Sequence, residues 1–397
     1  MSKSKKVLIA GGGIGGMAAA LALLQRGFRV RVFEQASVFK EVGAGLHISP
    51  NGYAALKALG IEKQIEALAC FASGRVVRMW STGESWNVLD VGAKAAETYG
   101  YPYVTLYRPD LLDVLVAAVH DIDPDAVRLG VTCTGFDQDE TGVTLKFGDE
   151  TARGDILIGA DGIHSKIRQG IHGPDKADFS GQVAWRSLIP MKKLPATMRT
   201  VVATNWIGPG GHVVHYPVKG GELMNFTGIS ETDQWLPEAW NIPGTMEECL
   251  GTFAGWHDDV QTLIKAGIKH FKWALMIREP LSFWSKGRVT LLGDACHPTL
   301  PFMAQGAVMA LEDSVMLART LDAYTDSEFA LKRYEASRIE RTTRVVVGSA
   351  ENAKRFHNPA LAEKEGACAY VNREWTEEKL RQRYDWLYTY DVGTVPI

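Results

Sequence analysis

The sequence has little cysteine. Five thiols among 397 residues (Cys70, Cys133, Cys249, Cys296 and Cys368) stand far apart, odd in number and without C-x-x-C or zinc-type spacing. A disulfide-stapled scaffold, a structural zinc site and a dithiol redox centre are therefore excluded, and reduced thiols in the cytoplasm are expected. An excess of one charge is also missing. Forty-three Lys+Arg against 46 Asp+Glu leave a formal −3, so no overall field draws the chain to nucleic acid or an anionic membrane. There is no low-complexity tract and no internal repeat. With 46% hydrophobic and 22% charged residues, the composition is that of a folded chain of two or three domains acting on a small molecule. Only one long uncharged run exists, Val7 to Leu24, and the five glycines at its centre argue against a membrane span or signal sequence.

What is present is a strand, a turn and a helix in immediate succession. Val7 to Ala10 is a short apolar run of the kind that fills a central parallel strand, and Gly11 to Gly16 follows without a spacer. An Ala- and Leu-rich helix is expected over Met17 to Gln25, Gly27 supplies its stop, and Arg29 to Phe33 alternates into a second strand ending at Glu34. The glycines match G-x-G-x-x-G at Gly11, Gly13 and Gly16, with an acid 18 residues after the last. The first permits a tight turn, the second brings backbone close to a pyrophosphate, and the third lets helix and strand pack closely. The pyrophosphate is then expected on the helix N-terminus, at Gly13, Ile14 and Gly15. Glu34 is placed to accept hydrogen bonds from ribose hydroxyls, and its charge opposes a 2′-phosphate. FAD or NAD is implied over NADP.

Two further motifs favour the larger dinucleotide. Gly154 to Arg168 is an apolar strand running into Asp161-Gly162 and a basic helix, and Gly287 to Pro298 is another, reaching Gly293-Asp294 and continuing to Gly306-Ala307 and Glu312-Asp313. Strand ends of this kind line the ligand crevice of parallel sheets, so three of them converge on one extended cofactor. Between about residues 176 and 283 the pattern changes to alternating strands and turns. His212 to Val218 and Leu223 to Ile229, joined by Lys219 to Glu222, read as a hairpin. Residues two and four apart on a strand share a face, so His212, Val214 and Tyr216 point together while His215 points away. Helices are expected from Gly306 through Leu321, from Glu328 to about Val347, and from Glu374, where Leu380, Tyr384 and Leu387 mark an amphipathic terminal segment.

In these motifs the sequence resembles the single-component FAD-dependent aromatic hydroxylases, which include the para-hydroxybenzoate, salicylate, 3-hydroxybenzoate and 6-hydroxynicotinate monooxygenases. The resemblance runs from Lys6 to about Arg341. It implies an α/β fold of the para-hydroxybenzoate hydroxylase type. A Rossmann-like FAD-binding domain would comprise residues 1–70, 100–175 and 284–345, with an interleaved, mainly-β substrate domain at 71–99 and 176–283 and a C-terminal helical segment at 346–397. It further implies that Glu34 holds the ribose, that Arg108 contacts the cofactor, and that Asp294 binds its ribityl or pyrophosphate region. Pro301 would lie near the flavin, with Gly306 and Ala307 beside it, and Asp161 would mainly organise the crevice. One tightly bound, non-covalent FAD is expected, with NADH (or NADPH) as a transient reductant and NADH preferred.

Two active-site stretches carry the resemblance further. Glu41 to Asn51 is similar to the flavin-side loop of the salicylate and 6-hydroxynicotinate enzymes, the latter with a histidine matching His47. His212 and Tyr216 match a His/Tyr pair of the 6-hydroxynicotinate enzyme, assigned there to the substrate pocket and to deprotonation of the substrate hydroxyl. Phe302 stands where that enzyme carries a histidine. In this family reduced flavin and O₂ give a C4a-hydroperoxide with an electrophilic distal oxygen, and deprotonating the ring hydroxyl makes the ring a better nucleophile. A histidine titrating near neutrality suits that step. His212, Tyr216 and His47 are thus the catalytic candidates, with His212 and Tyr216 as an acid–base pair. His297 is expected to support the cofactor loop, Cys296 to pack, and no metal is implied.

The expected partners are O₂ and a small hydroxylated aromatic or N-heteroaromatic carboxylate, hydroxylated with or without loss of CO₂. No nucleic acid and no stable membrane association are expected, and a homodimer is compatible with the resemblance. The sequence places no arginine against a substrate carboxylate. A flavin-dependent halogenase would need a W-x-W-x-I-P signature, and Val183 to Pro190 offers one tryptophan only. A non-catalytic FAD- or NADH-binding module is the other alternative; aromatic ligands would not accelerate its NADH oxidation.

Overall fold

The computed structural model describes residues 5–39, 44–89, 93–233 and 242–397. Its first structural unit is a five-stranded parallel sheet in the order Val289–Leu291, Ile156–Gly159, Lys6–Ala10, Arg29–Phe33 and Val127–Arg128. The central strand is buried from Val7 to Ala10, which is why it reads as an unbroken apolar run and does not alternate. The helix Ile14–Leu24 follows, three residues earlier than its Ala-rich stretch suggests, because the glycine loop itself supplies the first turn. It is buried along nearly its whole length, packed against the helices Arg108–Ile122 and Gly306–Ala323.

The second unit is an eight-stranded mixed sheet. Its order is Ile242–Gly244, His270–Ile277, Asp178–Pro190, Leu223–Glu231, Gly211–Val218, Val202–Gly208, Gly74–Met79 and Ser85–Leu89. All neighbours are antiparallel except Val202–Gly208 with Gly74–Met79. Strands from 71–99 and from 176–283 thus share one sheet. The expected hairpin is present, with Lys219–Gly221 as a 3-10 turn. One face carries a core of Trp206, Val213, Phe226 and Phe253 under the helices Met246–Thr252 and Asp258–Ala266. His215 is buried on this side, among Arg78 and Asp259, as strand parity requires. The opposite face, carrying His212, Val214 and Tyr216, is turned toward the parallel sheet.

Two differences from the sequence reading concern boundaries. The helix Ser327–Phe356 runs unbroken through the 345/346 division, because its buried stripe, Thr342, Val345, Ser349, Asn352 and Phe356, continues without interruption. The C-terminal residues form two helices, Lys364–Glu374 and Glu377–Tyr388, and the second buries Leu380, Tyr384 and Leu387 as its spacing predicts.

Candidate active site

The three loop glycines differ in what surrounds them. Gly11 has φ +102°, and a Cβ there would stand 2.3 Å from the Ala160 carbonyl oxygen. At Gly16 a Cβ would stand 2.0 Å from the Gly11 oxygen, so helix and loop pack too closely for any side chain. A Cβ on Gly13 meets nothing within 4 Å. Close packing explains the first and third, whereas the second borders open space at the N-terminus of an 11-residue helix whose first turn holds no acid. That is a cradle for an anion, stabilised by unsatisfied N–H groups and the helix dipole.

This open space continues into a cavity of about 390 Å³ running between the two sheets. At the cofactor end its wall includes Gly13, Ile14, Gly15, Arg108 and Asp294, followed by Pro301, Gly306 and Ala307. Burial pushes the Asp294 carboxyl above its usual range, with His297 and Arg108 pulling it back. Gly11, Gly16, Glu34 and Asp161 are not among the residues that line the cavity. The Glu34 carboxylate accepts from the Gly12 N–H at 2.6 Å and the Ala36 N–H at 2.8 Å, fixing the glycine turn to the end of the second strand. Asp161 accepts from the Ser165 hydroxyl and the Lys166 and Ile167 N–H groups, bracing the start of the helix Lys166–His172. These residues fit FAD: Gly13 and the open helix N-terminus would receive its pyrophosphate, and Arg108 and Asp294 lie farther along the same cavity.

Beneath this wall lies a buried ionic network. Arg338, fully buried, touches Glu312 at 2.6 Å and Asp313 at 2.8 Å; Arg341 pairs with Glu312 at 2.9 Å, and His297 Nε2 stands 2.6 Å from Asp313. Burial alone would raise both carboxyls, but Arg341 and Arg338 hold Glu312 low, and His297 and Arg338 hold Asp313 low. The network clamps the helices Gly306–Ala323 and Ser327–Phe356 behind the Asp294 turn. Cys296 packs beside it, its thiol donating to the Gly293 carbonyl.

At the other end of the cavity the eight-stranded sheet presents three cross-strand rows. Arg75 pairs with Ala203, which packs beside Tyr216. Val77, Asn205, Val214 and Thr227 form the middle row, and Met79, Ile207, His212 and Ile229 the last. His212 and Tyr216 share the cavity face but stand four residues, roughly 13 Å, apart along the strand. They share the expected face, and each meets a different partner. Tyr216 meets His47, ring centroids 3.9 Å apart, while His212 Nδ1 lies 2.7 Å from His357 Nε2.

His47 lies on the short strand Gly45–Ile48, which pairs with Val104–Tyr107, so it is not on a loop; residues 41–43 of that stretch lie outside the described residues. The strand is locked to the sheet by the Gly45 N–H, which donates to Asn225 Oδ1 at 2.8 Å. A Cβ at Gly45 would collide with the Tyr216 ring at 2.4 Å, so that ring is seated directly on its backbone. Burial, with the nearby Arg75 charge, pushes His47 down to about 3, and it is neutral at physiological pH. Burial, with His357 beside it, holds His212 well below 6.5, lower than the near-neutral histidine expected. Phe302 packs its ring 5.0 Å from His212.

The sequence reading missed Arg75, Tyr384, Tyr388 and His357. Arg75 lines the cavity, with its guanidinium over the rings of Tyr103 and Tyr384 and near the Tyr388 hydroxyl at 3.5 Å. Among the described residues no carboxylate pairs with it. Burial alone would weaken its charge, but the three tyrosines outweigh that and hold the guanidinium protonated. Two of them come from the C-terminal helix, which gives the tail a place in the site.

Residues 4–349 match the family model described as an FAD binding domain. The chain is 36% identical over 393 residues to a 3-amino-4-hydroxybenzoate 2-monooxygenase of Streptomyces platensis, covering 98% of this chain and 97% of that one. It is 37% identical over 407 residues to a 6-hydroxynicotinate 3-monooxygenase of Pseudomonas fluorescens, covering 100% and 98%. A crystal structure of a Klebsiella pneumoniae HpxO variant complexed with FAD superposes with a TM-score of 0.84 at 27% identity, covering 98% of this chain and 99% of that one. Signature glycines, a cavity between a parallel and a mixed sheet, and relatives that match end to end lead to one conclusion: the chain belongs to the FAD-dependent aromatic monooxygenases, the class A flavoprotein monooxygenases.

Proposed function

We propose that the protein hydroxylates a small aromatic or N-heteroaromatic ring that carries both a hydroxyl and a carboxylate, using O₂ and NADH in the cytoplasm. The observation that carries this reading is Arg75, a half-buried cation on the cavity wall, held by tyrosine faces without an acid partner among the described residues. A charge drawn out of water without a counter-ion is costly, so such a group awaits an anion. The names of both relatives describe a ring acid bearing a hydroxyl. The five free cysteines support a reducing compartment.

Bound FAD supplies the oxygen-transfer chemistry; this chain's residues hold the ring and manage its proton. Arg75 takes the carboxylate, Tyr216 and His47 flank the ring near that end, and Val214 and Phe302 exclude water. His212, on the row farthest from Arg75, receives the hydroxyl proton. A screen of 3-hydroxybenzoate, salicylate, 6-hydroxynicotinate and 3-amino-4-hydroxybenzoate for stimulated NADH oxidation, with product masses, tests the proposal. One or more of these acids should accelerate oxidation and yield a hydroxylated product, the mass distinguishing oxygen insertion from exchange of the carboxylate. Stimulation by neutral phenols but by none of the acids would overturn it.

A further inference from the structure

His212 does not end at the cavity. Its Nδ1 lies 2.7 Å from His357 Nε2, and His357 Nδ1 lies 2.9 Å from Glu231 Oε1. The two rings are buried, 1% and 4% exposed, whereas the Glu231 side chain is 52% exposed. A continuous line of hydrogen-bonding atoms thus leads from the substrate cavity to solvent. Three separate elements build it: the strand Gly211–Val218, the residue that caps the helix Ser327–Phe356, and the last residue of the strand Leu223–Glu231. Backbone bonds tie the same residues together, since the Gly210 N–H donates to the His357 carbonyl at 3.2 Å and the Glu231 N–H to the Gly210 carbonyl at 2.8 Å. Phe302 and Phe356 pack at 5.0 and 5.2 Å from the His212 ring and close its sides.

The carboxylate fixes the direction of the line. An ionised Glu231 only accepts, so His357 carries its proton on Nδ1 and leaves Nε2 as an acceptor. His212 must then donate from Nδ1. Its remaining nitrogen, Nε2, is left with a free lone pair on the cavity side. Burial disfavours the charged form of both rings.

We propose that Glu231 and His357 are positioning residues that hold His212 as a proton acceptor toward the substrate hydroxyl and carry the accepted proton to solvent. The inference rests on the reading that a ring hydroxyl is bound at the His212 end. When the ring O–H bond breaks, its electron pair stays on the ring oxygen and the proton bonds to His212 Nε2. The His212 Nδ1 proton passes to His357 Nε2, the His357 Nδ1 proton passes to Glu231, and Glu231 releases it to water. Each ring returns neutral with its proton moved across it, and no charge is stranded in the buried pocket, where a lone imidazolium would be strongly disfavoured.

The test uses oxidised, FAD-loaded enzyme labelled with ¹⁵N-histidine and needs no substrate. Nitrogen NMR, with His357→Asn for assignment, should find both His212 and His357 protonated on Nδ1, the tautomer that free imidazole disfavours. Glu231→Ala, at an exposed position, should leave FAD content and thermal stability unchanged, release His357 to the Nε2–H tautomer and turn His212 with it. With whichever ring acid the screen identifies, Glu231→Ala should form severalfold less product per NADH, and Glu231→Asp should recover part of the loss. A wild-type His212 protonated on Nε2, or a His212 tautomer unmoved by Glu231→Ala, would overturn the proposal. Altered tautomers with full product yield would overturn the exit route. If no acid stimulates turnover, the substrate reading fails, while the tautomers still decide this one.

Discussion

The Arg75 guanidinium lies over the Tyr103 ring, 5.9 Å from its centroid, with Tyr384 at 6.0 Å on a helix from the far end of the chain. Aromatic faces and hydroxyls hold the cation in place without neutralising it, so its N–H groups stay available to a ligand anion. Replacing Arg75 with Gln should therefore retain FAD but weaken binding of the ring acid by about 2–5 kcal/mol, the usual cost of removing one partner of a buried charge pair. Titrating the flavin spectrum with the acid and with the corresponding neutral phenol checks this: only the acid should lose affinity.

The glycine loop gives two opposite expectations from one chemical change. Gly16→Ala must push a methyl group into the Gly11 carbonyl and should lower the melting temperature of even the FAD-free protein. Gly13 has φ −70° and open space beyond its Cβ, so Gly13→Val should fold normally yet lose the flavin, because the side chain fills the space left for the pyrophosphate. Thermal melts of the FAD-free variants and flavin content after reconstitution separate the two effects.

Removing the fully buried Arg338 leaves Asp313 with His297 and Glu312 with Arg341, and should cost about 3–5 kcal/mol at neutral pH in Arg338→Met. The pH dependence carries the sign. In the wild type both carboxyls are held low, so their contribution is present above the ordinary carboxylate range and is lost as the pH falls through their folded values. In the variant each carboxyl loses one of its cations and its folded value rises, so less of this contribution remains to be lost on acidification. The stability gap between the two proteins should shrink as the pH is lowered; a constant gap in denaturant melts would contradict this.

His212→Ala should keep its FAD and most of its affinity for the ring acid, while product per NADH falls and hydrogen peroxide rises, because a ring that keeps its proton is a poor nucleophile. Tyr216→Phe should raise KM more than it lowers this ratio, since Tyr216 flanks the Arg75 end and stands roughly 13 Å from His212 along the strand. Oxygen-electrode and product assays on both variants provide the measurement.

The first βαβ unit, the tight turn at Gly11, the close packing at Gly16 and the shared face of His212, Val214 and Tyr216 were legible in the sequence. Each depends on a local rule: the steric limit at a tight turn, the apolar run of a doubly covered strand, or the two-residue period of an extended chain. Where such rules conflict, they decide nothing. The strand Gly74–Met79 carries an arginine on each face, and both faces are covered. Only the sheet order turns Arg75 toward the cavity and sends Arg78 to the other side, 4.0 Å above Trp206 and 2.7 Å from Asp259. The same holds for His357, Tyr384 and Tyr388. They meet His212 and Arg75 across 145 to 313 residues of chain, and no periodicity within a segment encodes which distant segment will close over it. Local geometry set which residues of a strand share a face; the order of the sheet and the packing of remote helices onto it decided which face meets the cavity and supplied each residue's partner.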